Sequence, residues 1–144
     1  EGDPLVREAA ALESDGKRRQ AIGRYIEAEQ ANPGDTGIYF KLSYLYQQEK
    51  DYRKAVRALQ RLVKIRPDTE RAYCQLAYLY YTKTLSKNRR QMLDLAAKSA
   101  EKALELNPRS HDTLIMLSEI YQALGQDIKA GECQRKAGEL DDFR

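Results

Sequence analysis

Three proline-centred turns recur along the chain, and their spacing constrains the fold more than any other feature. Asn32-Pro33-Gly34-Asp35 and Arg66-Pro67-Asp68 place their prolines 34 residues apart, and Asn107-Pro108-Arg109-Ser110 follows 41 residues after Pro67. This is a period of 34 interrupted by one insertion of seven residues. A fixed period of this length marks a stacked array of supersecondary units, each too small to bury its apolar face alone.

Between the turns the apolar residues recur at helical spacing. After Pro33, the set Tyr39, Leu42, Ser43 and Tyr46 falls at i, i+3, i+4 and i+7, one face of a helix. The matching sets are Tyr73, Leu76, Ala77 and Tyr80 after Pro67, and Leu114, Leu117, Ser118 and Tyr121 after Pro108. The small third member lets a second helix come close. That second helix carries a small residue with a partner four positions on: Ala21 with Tyr25, Ala55 with Leu59, Ala96 with Ala100, Ala130 with Gln134. The short polar turns Glu49-Lys50-Asp51 and Gly125-Gln126-Asp127 join the two helices of a unit as antiparallel neighbours.

Pairs of helices with Leu, a small residue and Tyr on the first, then Ala, a large apolar residue and Pro on the second, resemble the tetratricopeptide repeat. The resemblance covers nearly the whole chain, in four copies beginning near Leu5, Tyr39, Tyr73 and Leu114. It implies an all-α fold, a right-handed α-solenoid of four helix-turn-helix hairpins. The repeats then fall near 2–35, 36–69, 70–110 and 111–144 in a single array. Glu8 stands where leucine is expected in the first copy and Gln134 is polar in the last; both lie in terminal repeats, where one side has no neighbour.

The family resemblance further implies a concave surface, lined by the first helices, that receives a peptide or segment of another protein. Such binding is noncovalent and needs no cofactor. A second stripe on the first helices lies roughly 130° from the core stripe at about 100° per residue. It comprises Phe40, Tyr44 and Gln47, then Cys74, Tyr78 and Tyr81, then Ile115, Glu119 and Gln122. An exposed stripe of aromatic and apolar residues marks an interaction surface, and tyrosine adds a hydroxyl to its apolar area. The alternative is that some of these rings pack on a neighbouring repeat. Lys41 and Arg71 are the cations placed to meet a peptide carboxylate, with Asp112 and Glu119 farther along. Val6 and Ala10 occupy the places where the family's chaperone-binding members have lysine and asparagine, which disfavours that role.

The insertion falls in 82–92, reading TKTLSKNRRQM. It either lengthens the flanking helices by about a turn or projects a basic loop carrying Lys87, Arg89 and Arg90. Loops of this kind serve binding in some solenoids and are neutral in others.

Composition excludes several other classes. With 33% charged and 42% apolar residues the 144-residue chain has a globular balance. No apolar run approaches the roughly 20 residues of a membrane span, and a net charge of +3 permits nucleic acid without demanding it. Arg53, Lys54, Arg57, Arg61, Lys64 and Arg66 make one helix strongly basic. The aromatics of the second stripe lie on other helices, so cations and stacking rings are not interleaved as in single-strand binders, and this reads as a solvated convex face.

Cys74 and Cys133 have neither zinc-site spacing nor disulfide density. His111 alone forms no metal site or catalytic pair, and Gly16-Lys17 lacks the earlier glycine of a phosphate loop. We expect a binding protein rather than an enzyme. Two further expectations concern the ends. The chain opens Glu1-Gly2-Asp3-Pro4 rather than on methionine, as a processed or excised chain does. It stops at Leu140-Asp141-Asp142-Phe143-Arg144, where Leu140 and Phe143 would lie uncovered unless the protein continues or this end packs on another copy or a partner. Self-assembly through that end is the structural alternative to partner binding, and RNA binding by the basic helices is the weaker third.

Overall fold

A computed structural model describes residues 3–83 and 85–142. The described residues form eight α-helices and no strand: α1 (Pro4–Ser14), α2 (Arg18–Ala31), α3 (Thr36–Gln48), α4 (Tyr52–Ile65), α5 (Glu70–Thr82), α6 (Arg89–Leu106), α7 (His111–Ala123) and α8 (Asp127–Asp141). They pack as four consecutive hairpins, α1 on α2, α3 on α4, α5 on α6 and α7 on α8. The chain divides into two compact units, Glu1–Pro67 with the first two hairpins and Asp68–Arg144 with the last two.

Local chemistry explains the helix ends. Pro4 opens α1 with Asp3 accepting the Leu5 N–H at 2.9 Å, and Asp35, Asp51, Asn88 and Ser110 cap α3, α4, α6 and α7 in the same manner. Each cap satisfies an amide that the helix itself leaves without a partner. The three tight hairpin turns share one geometry. Gly16, Lys50 and Gly125, at equivalent repeat positions, all take a left-handed backbone, with φ of 77°, 59° and 77°. The amide that follows each reaches back five residues, Lys17 to Leu12, Asp51 to Tyr46 and Gln126 to Tyr121, at 2.8–2.9 Å. This is the Schellman closure, which favours glycine at the left-handed residue.

In the first unit a core of Ala9, Ala21, Ile22, Tyr25, Ala28, Ile38, Leu42, Leu45 and Ala58 joins both hairpins. Tyr25 is buried, and its hydroxyl donates to Glu13 at 3.1 Å. Tyr39 is buried as well and donates to the carbonyl of Pro33 at 2.6 Å, tying the helix start to the preceding turn. Arg61 on α4 grips Glu29 on α2 with two 2.8 Å bonds.

In the second unit Leu76, Ala77, Leu114, Leu117 and Ser118 are buried as the periodicity predicts, and Leu79 and Ile120 are fully buried beside them. Ser118 donates to the carbonyl of Ala130 at 3.1 Å, so α7 meets the backbone of α8 at that point. Tyr121 donates to Glu101. The last helix, α8, continues through Asp141. Asp141 lies 3.2 Å from the ring Nε2 of His111 at the start of α7, and this bond holds the two ends together.

The connection between α5 and α6 differs from the other three. It spans six residues, Lys83 to Asn88, against three in each tight turn, and α6 runs 18 residues against 14 for α2 and α4. The seven extra residues are thus divided between one added helical turn and a longer link.

Two predictions follow from these contacts. Lys50 is the one non-glycine among the three left-handed turn residues, a conformation that costs an L side chain about 1–2 kcal/mol. Lys50→Gly should raise stability by up to about 1 kcal/mol after the added backbone entropy of glycine; a urea midpoint that stays put or falls would contradict this. Burial first, and then the hydrogen bond to Glu13, pushes the Tyr25 phenol from 10.0 up to about 12. The unfolded chain therefore loses this proton before the folded one does. The stability it contributes is fully present below pH 10 and is lost as pH rises through about 12. Tyr25→Phe should cost about 1 kcal/mol at neutral pH and flatten the alkaline limb of a stability-against-pH curve; an unaltered limb would count against this assignment.

Candidate functional site

The first helix of each hairpin buries its core stripe, and off that stripe some side chains are closed, as Leu45, Leu79 and Ile120 are, while others reach solvent. On α3, Tyr44 is 50% exposed and Lys41 is exposed, whereas Phe40 and Gln47 are half-buried. The Gln48 side-chain amide donates to the Tyr44 hydroxyl at 2.6 Å, and Gln47 donates to Ser43 at 3.3 Å. Lys41 is not idle: its ammonium lies 3.5 Å from Glu13, the carboxylate that also accepts from Tyr25.

In the second unit the expected residues lie on α5 and α7, two helices that pack together. Tyr78 is 50% exposed and Arg71 is exposed on α5; Ile115, 38% exposed, and the exposed Glu119 and Gln122 lie on α7. Cys74 and Tyr81 are half-buried. The Cys74 thiol lies 3.3 Å from the Thr113 hydroxyl, joining α5 to α7, and 3.9 Å from Glu70, which also accepts from Asn107. Burial, with Glu70 nearby, pushes this thiol up despite the Thr113 hydrogen bond. Cys133 is buried and likewise pushed up, by burial above all.

The insertion residues separate into two kinds. The Arg89 guanidinium donates to the Tyr81 carbonyl at 2.7 Å and lies 5.6 Å from the Tyr81 ring centroid, so it fastens α6 to the end of α5. Lys87 and Arg90 are exposed. At the chain end Leu140 is half-buried, and Phe143 lies outside the described residues.

Side-chain features that the repeat pattern did not single out lie elsewhere. Tyr46 and Tyr121, at equivalent positions, each carry a lysine over the ring: Lys54 at 5.8 Å and Lys129 at 5.6 Å. A cleft adjoins each ring, one between α2 and α4 and one between α6 and α8. The signal was present as a repeated Tyr-to-Lys spacing of eight residues, but its meaning depends on which helix stands opposite. Ile128, at the second position of α8, is 83% exposed. Among the described residues no helix is long and apolar enough to cross a membrane, and no group of three or more His, Cys, Asp or Glu side chains is gathered to hold a metal.

Comparisons with known proteins agree with this architecture. Tetratricopeptide-repeat family models match residues 12–77 and 111–143. The ER membrane protein complex subunit 2-B of Xenopus laevis is 32% identical over 130 residues, covering 90% of this chain. The chain spans 42% of that relative's length. A crystal structure of MamA superposes with a TM-score of 0.79 at 19% identity, over 96% of this chain and 77% of that one. MamA from Desulfovibrio magneticus RS-1 gives 0.75 at 20% identity, over 98% and 76%.

Neither cysteine should behave as a reactive thiol, because the thiolate is the nucleophile and both thiols are held up. At pH 8 we expect iodoacetamide to label half-buried Cys74 more slowly than free cysteine, and buried Cys133 more slowly still. Labelling of Cys74 at the rate of a free thiol, followed by mass spectrometry, would show that the environment described for it is wrong.

Proposed function

The chain belongs to the tetratricopeptide-repeat family of protein-interaction scaffolds, and from that premise we propose that it holds a peptide or segment of another protein on the outward faces of its first helices. Tyr44 on α3 is the apolar anchor of the first unit, and Tyr78 on α5 with Ile115 on α7 are those of the second. Lys41 and Arg71 supply positive charge beside them. Phe40 and Gln47 complete the surface of the first unit, and Cys74, Tyr81, Glu119 and Gln122 that of the second. Half-buried Phe40, Cys74 and Tyr81 act more as its floor than as its grip. Recognition is noncovalent and requires no catalytic group or cofactor. In this reading the connection after α5 is a neighbouring element, with Lys87 and Arg90 available to a partner and Arg89 committed to Tyr81.

One observation carries the reading. Tyr44 and Tyr78 stand at equivalent repeat positions and each leaves half of a large ring in solvent, while the core positions on the same helices are closed. A pair of rings placed alike in two repeats is costly to leave exposed and suited to a ligand. The Xenopus relative is named as a subunit of a larger membrane protein complex, which supports a place in an assembly for this chain as well.

The test is affinity capture from lysate of the source organism with this chain beside its Tyr44→Ala, Tyr78→Ala variant. Both substitutions are at half-exposed rings, so unfolding stability should change by under about 1 kcal/mol and helical circular dichroism should be retained. A protein held by the parent and lost from the variant is the expected result. An unchanged set of retained proteins would remove the first-helix faces from consideration, and retention of only further copies of the chain would point to self-assembly.

A further inference from the structure

The α2–α4 face of the first unit carries uncompensated positive charge beside an apolar cleft. On α4, exposed Arg53, Arg57 and Lys64 fall at i, i+4 and i+11, one line along the helix. No acidic side chain of the described residues comes within ion-pair distance of these three. The other cations of the same face are engaged: Arg61 with Glu29, and Lys54 with Asp51 at 3.7 Å. At Arg57 this line borders an open cleft of about 350 Å³, which shares Ile26, Tyr46 and Lys54 with an adjoining one of about 490 Å³. Its apolar lining is Ile26, 36% exposed, beside half-buried Tyr46, with Ile22 in the adjoining cleft; Arg57 stands in its wall, as do Glu29 and Gln30.

We propose that this face binds an acidic segment of a partner protein. An apolar side chain of that segment seats over Ile26 beside Tyr46, and flanking carboxylates meet Arg57, Arg53 and Lys64. Arginine suits the role because its planar fork takes a carboxylate through two parallel hydrogen bonds.

The same geometry argues against nucleic acid as the occupant. Single-stranded nucleic acid needs open aromatic faces on which bases stack. The one ring in this cleft, Tyr46, lies under the Lys54 ammonium. The second unit supplies an internal contrast. Its cleft repeats the lysine-over-tyrosine arrangement with Lys129 and Tyr121, but Glu101, Glu105 and Glu132 line it together with Lys129 and Lys136. Carboxylates line the first unit's clefts as well, but Glu29, Glu49 and Asp51 each meet a cation already and leave Arg57 over. In the second unit the three lining carboxylates outnumber the two lining lysines, so the proposal concerns the α2–α4 cleft alone.

A randomised peptide library selected on the whole chain tests this. The selection is run on the Tyr44→Ala, Tyr78→Ala background, so that first-helix binding cannot dominate and its own failure is scored separately. Enriched peptides should combine an apolar residue with neighbouring Asp or Glu. Their affinity should fall about tenfold or more with Arg53→Glu, Arg57→Glu, fall again with Ile26→Ser, and weaken with added salt. All of these positions are at the surface, and retained circular dichroism shows that each variant folds. Three outcomes would overturn the proposal: no enrichment above background, enriched peptides without acidic residues or indifferent to the two arginine substitutions, or labelled polyuridylate binding through Arg53 and Arg57 where acidic peptides do not.

Discussion

Each hairpin depends on two helices approaching closely at one place, where a small side chain on the first helix meets the second. The eight residues in question are Ala9, Ser43, Ala77 and Ser118 on the first helices and Ala21, Ala55, Ala96 and Ala130 on the second, and all are at most 2% exposed. At one of these places the approach is visible as a hydrogen bond from Ser118 to the Ala130 carbonyl. A larger side chain there would have to displace backbone rather than a neighbouring rotamer, which a close-packed interior tolerates poorly. Large residues such as Leu42, Leu59 and Leu117 fill the space around the approach. Because this contact sets the rotation of each first helix about its axis, it also decides which side chains remain outside.

The turns translate that contact into a repeat. Three of them reverse direction in three residues by placing one residue in the left-handed region, and two of the three use glycine there. The third hairpin closes differently, with a longer link and a longer α6. Arg89 replaces the lost turn geometry by bonding the Tyr81 carbonyl and covering its ring. An insertion that the sequence allows either to lengthen the helices or to project as a basic loop does some of each, and one of its cations holds the hairpin together.

The outward surfaces differ in chemistry because they are made by different helices. The first helices present tyrosines and an isoleucine with sparse charge. On α4 the same demand for solubility is met with arginine and lysine, three of which have no carboxylate to meet. Interspersed opposite charges are the ordinary state of a solvated surface, as at Arg24, which sits between Glu8 and Glu27. Set beside such pairs, the line of Arg53, Arg57 and Lys64 is a local field that a partner of opposite sign would feel at a distance.

The sequence by itself determined the all-α class, the pairing of consecutive helices and the core stripes, because a period of 34 and a spacing of three and four residues record which side of each helix is apolar. Ser43, Ala77 and Ser118 could be placed at the close approach for the same reason. Periodicity gives an angle about a helix axis, however, and not what stands across from it. Phe40, Gln47, Cys74 and Tyr81 share the angular position of Tyr44 and Tyr78, yet the first four are half-buried and the last two half in solvent. Leu45, Leu79 and Ile120 lie off the core stripe and are still closed. The cleft over Tyr46 of α3 needs Ile26 from α2 together with Lys54 and Arg57 from α4, and the engagement of Lys41 with Glu13 needs α1 beside α3. These were decided only by tertiary structure, since burial and ion pairing depend on neighbours that are distant in the chain and on how closely the helices are allowed to meet.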